Sequence, residues 1–311
     1  MSTTILRTAD AWYAAAGADA TKIDTRAATT GALLADRAAI AAAAAAPPTD
    51  RVADLVLVSP VTAPCRVVAQ MTNFASHVTD SGMDPRTVPL TFFRKTSGSI
   101  SGPFDDVVTP PHVDLLDYEV EIGLVIGREI PVGTEVTTAR GYVAGLVVTD
   151  DVSARDVQLP KTQFYEAKSY PTFTPVGPAL VLLEDDEFDR FTDLRLRLSV
   201  NGAPRQDSVV GADMVYQPLE ALQALSRFQR LDPGDLVLTG TPAGTALSAP
   251  PKVVEKIGAL LPPALKWKLF FQRQAKNPRY LADGDVIEAT VATDDGAIDL
   301  GTQRTVVRRK R

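Results

Sequence analysis

Asp117-Tyr118-Glu119-Val120-Glu121-Ile122-Gly123-Leu124-Val125-Ile126 is the stretch on which the fold turns. From Tyr118 onward every even position is apolar or aromatic, the alternation of a β-strand. Tyr118, Val120, Ile122 and Leu124 form a face that must be buried. Glu119 and Glu121 project side by side from the other face, about 7 Å apart at the backbone. Two carboxylates so placed repel each other unless water or a cation compensates them. Alone, the pair reads equally well as the wet face of a half-exposed strand, although Gly123 and Val125 further along are not obvious solvent-facing types.

Strands follow on both sides. Val143 to Thr149 is a continuous apolar run, the pattern of a strand buried on both faces. Leu194 to Val200 alternates and runs into Asn201-Gly202, a strong hairpin signal. Leu236 to Thr239 and Val286 to Val291 each follow an Asp/Gly turn. Helical signals are fewer: the alanine run Ala38 to Ala46 stopped by Pro47-Pro48, then Ser153 to Gln158, Pro218 to Gln229 and part of Lys252 to Ala275. Strands with irregular connections and few helices predict an α+β, mainly β, architecture with antiparallel or mixed sheets. Composition changes near residue 60. Residues 1–60 read as a small N-terminal α/β appendage and 61–311 as the main domain.

The chain has 311 residues, 45% hydrophobic and 23% charged, which fits an ordinary globular protein. No apolar run is long enough to cross a bilayer, and the first residues lack a secretory signal, so a cytoplasmic protein with no membrane partner is expected. A net charge of -6 is a poor footprint for nucleic acid. The single Cys65 excludes an internal disulfide and a thiolate zinc site. With only His77 and His112, a His-rich metal centre is also excluded. Any metal here takes oxygen ligands, which favours Mg²⁺ or Mn²⁺.

Four further segments carry possible chemistry. Asp150-Asp151-Val152-Ser153-Ala154-Arg155-Asp156-Val157-Gln158 follows the apolar strand. Ser153 with Asp156 predicts a capping box; Asp150 and Asp151 stay unexplained by it, and Asp151 is a candidate third oxygen ligand beside the glutamates. In Asn73-Phe74-Ala75-Ser76-His77-Val78-Thr79-Asp80, His77 and Asp80 share one face of a helical turn. A carboxylate can orient such an imidazole as a general base. Thr239-Gly240-Thr241-Pro242-Ala243-Gly244 is a small-residue loop able to present backbone N–H groups to an anion, but it lacks the lysine of a nucleotide-binding loop. Lys95 and Lys168 are as readily solvated as functional.

In this order the segments resemble the fumarylacetoacetate hydrolase superfamily, over about Arg66 to Val291. Further matching pieces are Phe93-Arg94-Lys95, Ala167-Lys168-Ser169-Tyr170, Val200-Asn201-Gly202 and Pro233 to Gly244. The resemblance implies a mixed β-sandwich roll, a homodimer, and one divalent cation, Mg²⁺ or Mn²⁺, on Glu119, Glu121 and Asp151. It implies a water-activating dyad of His77 and Asp80, a catalytic Lys168 that stabilises an enolate and contacts substrate oxygens, and substrate contacts from Lys95, Gln158 and Thr241. Asp80 stands where the family has glutamate, and residues 250–279, with Trp267, Phe270 and Phe271, read as an insertion. The implied reaction is hydrolysis of a carbon–carbon bond in a small 1,3-dicarbonyl acid such as an acylpyruvate, in the manner of aromatic catabolism. The alternatives are a lyase or isomerase acting on a 2-oxo acid, for example oxaloacetate decarboxylation, and a non-catalytic metabolite-binding protein.

Overall fold

The computed structural model describes residues 2–247 and 262–310 of the protein. In chain order its main strands are β1 (Thr3–Arg7), β2 (Trp12–Ala16), β3 (Asp19–Lys22), β4 (Asp50–Arg51), β5 (Val67–Met71), β6 (Thr91–Lys95), β7 (Val107–Thr109) and β8 (Val120–Ile126). They continue as β9 (Val143–Asp150), β10 (Leu180–Leu182), β11 (Leu194–Val200), β12 (Ala203–Val209), β13 (Leu236–Leu238), β14 (Val286–Thr293) and β15 (Asp299–Arg309). Ten of them form one sheet in the order β4-β3-β2-β1-β10-β9-β8-β13-β5-β6. Five form a second, β12-β11-β14-β15-β7. Pairing is antiparallel except where β13 runs parallel to β5 and β15 parallel to β7, so the fold is mainly β with mixed sheets.

Strand β8 lies at the centre of the long sheet, between β9 and β13. All seven of its residues are buried. The half-exposed reading of the glutamate face is therefore wrong: Glu119 is 5% and Glu121 1% exposed. Val120, Ile122 and Leu124 face the larger core cluster with the second sheet's Leu196, Leu198 and Val291. Val125, Val147 and Leu238 face the other cluster, closed by Leu33, Leu34 and Ile40 of helices α1 (Thr30–Ala35) and α2 (Arg37–Ala45). Helix α2 ends at Ala45, just before the two prolines, as its alanine run predicts. Strands β1 to β4 extend the same long sheet through β1 and β10, so residues 3–51 share a hydrogen-bonded layer with the rest of the chain.

The hairpin joining β11 and β12 turns on Asn201 and Gly202, whose φ values of 52° and 75° are those of the two-residue turn that suits strand twist. Gly145 is where the central strands come too close for a side chain. A Cβ there would lie 2.3 Å from the Val181 carbonyl oxygen on β10. Backbone held in a sheet cannot yield, so Gly145→Ala should cost about 2 kcal/mol or more. A denaturant midpoint unchanged from the parent would contradict that reading of the packing.

The remaining helices are α3 (Ala75–Asp80), α4 (Arg155–Gln158), α5 (Pro218–Ser226) and α6 (Pro263–Gln274). The predicted capping box at Ser153 does not form. The Ser153 hydroxyl donates to the Asp151 carbonyl at 2.8 Å, and Asp156 accepts the Asp114 amide at 2.8 Å. Of the apparent insertion at 250–279, residues up to 261 lie outside the described part. Within the rest, α6 carries Trp267 stacked on Phe271 at 5.6 Å, with Leu265 and Leu269 exposed. Cys65, half-buried ahead of β5, is pushed up to about 12 by burial and then by Asp235. Its thiolate fraction at pH 8 is on the order of 10³ below that of a free thiol. Iodoacetamide should accordingly label it far more slowly in the native than in the unfolded protein, as mass spectrometry can read.

Candidate metal centre and active site

Glu119, Glu121 and Asp151 converge because of strand register. β8 and β9 pair Val120 with Asp150 and Glu121 with Thr149, so the end of β9 delivers Asp151 beside the glutamates. The Asp151 amide donates to the Glu119 carbonyl at 2.9 Å, continuing the pairing past the strand ends. One carboxylate oxygen from each of the three lies within 4.8 Å of the others. Carboxylate oxygens that converge in this way could be ligands to one hard divalent cation.

Three buried cations share the cluster. Lys168 Nζ donates to Glu119 Oε2 and Asp151 Oδ2, both at 2.6 Å. Lys95 Nζ donates to Asp151 Oδ1, and to the Phe173 carbonyl at 2.9 Å. Arg155, on α4, donates to Glu119 Oε1, to Asp117 Oδ2 at 2.8 Å and to Gln158 Oε1 at 2.8 Å. Asp117 also accepts the Ala246 and Leu247 amides at 2.7 and 3.0 Å. Five buried carboxylates (Asp117, Glu119, Glu121, Asp150 and Asp151) thus face Lys95, Arg155 and Lys168.

The two left over are identifiable. Among the described residues neither Glu121 nor Asp150 forms an ion pair. Glu121 Oε2 accepts the Gly240 amide at 2.7 Å; Asp150 Oδ1 accepts the Glu119 amide at 2.7 Å, while its Oδ2 has no partner. Burial pushes Glu121 well above the usual carboxylate range, and the nearby Asp151 and Glu119 push it further. Burial likewise lifts Asp150 to about 7, against the pull of the Glu119 amide. Glu119 goes the other way. Burial would raise it, but Arg155, Lys168 and His77 outweigh that and hold it low. Burial lowers Lys95 despite Asp151, whereas in Lys168 the attraction of Asp151 and Glu119 overcomes burial. Glu121 is the ligand on which no protein cation sits, and its raised pKa marks a carboxyl whose ionised form lacks a positive partner. The residues present fit a hard metal ion.

His77 stands on α3 near this cluster. Burial lowers its pKa, with Glu119 opposing and Arg155 and Lys168 adding to the shift, so the imidazole is neutral near pH 7. Its Nδ1 is buried and has no hydrogen-bond partner. Asp80, one turn on, is exposed, and among the described residues no hydrogen bond or ion pair joins it to His77. Of the other sequence candidates, Lys95, Lys168 and Gln158 lie in the cluster's hydrogen-bond network. The Thr241 hydroxyl donates to the Val120 carbonyl at 2.9 Å and accepts from Gln206 at 2.8 Å. The second histidine, His112, pairs with the Tyr170 hydroxyl at 2.8 Å on the surface.

Two supporting groups escape a reading by motif. Gln206 on β12 accepts the Val120 amide at 3.0 Å, tying the second sheet to the ligand strand. Asp213 accepts the Ser76 amide at 2.7 Å, the Ser76 hydroxyl at 2.5 Å and the Ser208 hydroxyl at 2.7 Å. The Ser76 hydroxyl in turn accepts the Ala243 amide at 3.0 Å. Helix α3, which has no side-chain cap of its own, is thereby fastened to the Gly240–Gly244 loop.

A mainly β fold with a buried acidic triad beside lysine, arginine and histidine defines a class, and the sequence comparison agrees with it. The fumarylacetoacetate (FAA) hydrolase C-terminal family matches residues 66–308, and the chain belongs to that family. The chain is similar to the mitochondrial oxaloacetate tautomerase FAHD2A of Bos taurus, 36% identical over 207 residues. That alignment covers 66% of this chain but only 64% of the tautomerase. It is also similar to a 2,4-didehydro-3-deoxy-L-rhamnonate hydrolase of Sphingomonas sp. (strain SKA58), 36% identical over 243 residues, 78% of this chain and 73% of the relative. Among solved structures, the fumarylacetoacetate hydrolase of Exiguobacterium antarcticum superposes with a TM-score of 0.72 at 25% identity, covering 100% of both chains. No helix among the described residues is long and apolar enough to cross a membrane.

Proposed function

We propose that the protein is a metal-dependent enzyme that enolises a small 2-oxo acid carrying a second carbonyl two carbons away, in tautomerase or decarboxylase fashion. Glu119, Glu121 and Asp151 would hold the cation, Mg²⁺ or Mn²⁺. When bound, it supplies a Lewis acid for the substrate's carbonyl oxygens. The Lys168 ammonium, already between Glu119 and Asp151, places positive charge where an enolate oxygen develops. Lys95 holds Asp151 in place. Neutral His77, with Nδ1 unpartnered, can take a proton from the carbon between the carbonyls and return it.

The observation that favours this reading is that no hydrogen bond or ion pair joins His77 to Asp80 among the described residues. Enolisation needs one neutral base near a polarised carbonyl. Hydrolysis needs in addition a water held by an oriented base. The similarity to an oxaloacetate tautomerase points the same way. Carbon–carbon bond hydrolysis of an acylpyruvate is the second reading, favoured by the similarity to the rhamnonate hydrolase; there His77 would deprotonate water. Oxaloacetate and acetylpyruvate should be assayed with Mg²⁺, Mn²⁺ and chelator, following enol absorbance and solvent ¹⁸O. Chelator-sensitive enol–keto exchange without label in a cleavage product is the expected result. Label in an acetate product establishes hydrolysis instead, and chelator-insensitive turnover overturns both readings.

A further inference from the structure

Helix α3, which carries His77, is six residues long and has no side-chain cap of its own; its N-cap position is Phe74. A helix this short leaves most of its backbone amides unbonded within itself and is marginal alone. It is held by a distant stretch of chain, residues 213–216, which follows β12. Phe74 and Met214 form an isolated antiparallel bridge, and the Val215 amide donates to the Asn73 carbonyl at 2.8 Å. The buried Asn73 side chain accepts the Tyr216 amide at 2.8 Å and donates to the Tyr216 and Thr239 carbonyls at 3.0 and 2.8 Å.

Asp213 closes this clamp. Its Oδ1 accepts the amide of Ser76, the second residue of the helix, at 2.7 Å, which is the bond an N-cap side chain ordinarily makes. Its Oδ2 accepts the hydroxyls of Ser76 at 2.5 Å and Ser208 at 2.7 Å. Among the described residues no cation pairs with Asp213, so these three donors are what its charge meets. An ionised carboxylate only accepts. The Ser76 hydroxyl is therefore turned to donate to it, which leaves the hydroxyl's lone pairs for the Ala243 amide at 3.0 Å.

His77 is the next residue. Its Nδ1 has no hydrogen-bond partner, and Asp80 does not bond it, so no such contact orients the ring. Where the imidazole stands is then decided by the backbone that carries it. On one side of His77 that backbone is fixed by Val78, which is buried and whose amide donates to the Phe74 carbonyl at 2.9 Å. On the other side it is fixed by Asp213. We infer that Asp213 is a positioning residue for His77, a carboxylate that caps α3 from another part of the chain and sets where the base stands. Its effect on turnover rests on the enolising function proposed above; the cap itself does not.

Asp213→Ala should lower kcat on oxaloacetate by about 10- to 10²-fold, with KM within about threefold of the parent and the Mg²⁺-dependent rise in melting temperature retained. Asp213→Asn, which still offers one oxygen to the Ser76 amide, should recover part of the loss. The deciding measurement is a double-mutant cycle with His77→Ala. In that background Asp213→Ala should lower turnover no further, because a residue that acts only through the imidazole has nothing left to place. A general loss of structure would lower turnover by the same factor in both backgrounds and overturns the inference. A second reading is independent of turnover. The chain has two histidines, so in His112→Gln the one imidazole left is that of His77. Its ¹⁵N signals should shift when Asp213→Ala is added, and the Ser76 amide should lose protection from hydrogen exchange. If Asp213→Ala does not fold, Asp213→Asn carries the same measurements, with smaller shifts expected. Unmoved imidazole signals, or a kcat equal to the parent's, overturn the inference. A wild type that does not turn over any 2-oxo acid removes the enolising function alone; shifted imidazole signals then still uphold the positioning of His77, and unshifted ones overturn it.

Discussion

Glu121→Gln should leave a folded protein that has lost its response to divalent cations and roughly 10³-fold or more of its turnover. The variant keeps a similar volume, and its side-chain oxygen can still accept the Gly240 amide. What disappears is the one ligand carboxylate that no protein cation neutralises. In the metal-free protein that carboxylate is a liability, because it is buried against Asp151 and Glu119. Without metal, therefore, the variant should melt no lower than the parent. Adding Mg²⁺ should raise the melting temperature of the parent, since a ligand that binds only the folded state stabilises it, and leave the variant unmoved. A variant that still melts higher with Mg²⁺, or keeps chelator-sensitive turnover, would remove the metal centre from Glu121.

His77→Ala should reduce turnover by roughly 10²- to 10⁴-fold, the usual contribution of a positioned general base. The Mg²⁺-dependent rise in melting temperature should survive, because His77 is not among the three converging ligands. Asp80→Ala is the informative companion. As Asp80 is exposed and unattached to His77, its loss should change the rate less than about threefold if enolisation is the reaction. An Asp80→Ala enzyme as impaired as His77→Ala would mean that the two residues act as one unit on the bound substrate, and hydrolysis would become the better reading.

Much of this site is legible in the sequence because it is written in local periodicity. Alternation around Tyr118 and Val120 puts Glu119 and Glu121 on one side of a strand. The apolar run ending at Thr149 puts Asp150 and Asp151 at the end of another. Burial of that side is not legible, since the groups that meet it, Lys95, Lys168 and the Gly240 amide, lie far away in sequence. For the same reason Lys95 and Lys168 look like solvated lysines until the fold brings them onto Asp151. Arg155 and Asp117 stand inside the very motifs that carry the resemblance, and the acids that Arg155 pairs with, Asp117 and Glu119, belong to the neighbouring motif. Gln206 and Asp213 bear no local signal at all. Their partners are backbone amides and serines on other elements, and such contacts have no period. His77 and Asp80 share the turn that the spacing predicts, and sharing a face of a helical turn permits contact without compelling it.

The knot of Ser76, Asp213 and Ala243 bears on how the base and the metal site are held. Asp213 grips the start of α3, and Val78 in the middle of the helix is fully buried. Ser76 is also tied to Ala243, in the same short loop whose Gly240 amide holds Glu121. The residue that carries the imidazole and the ligand that carries no protein cation are thus anchored to one and the same loop.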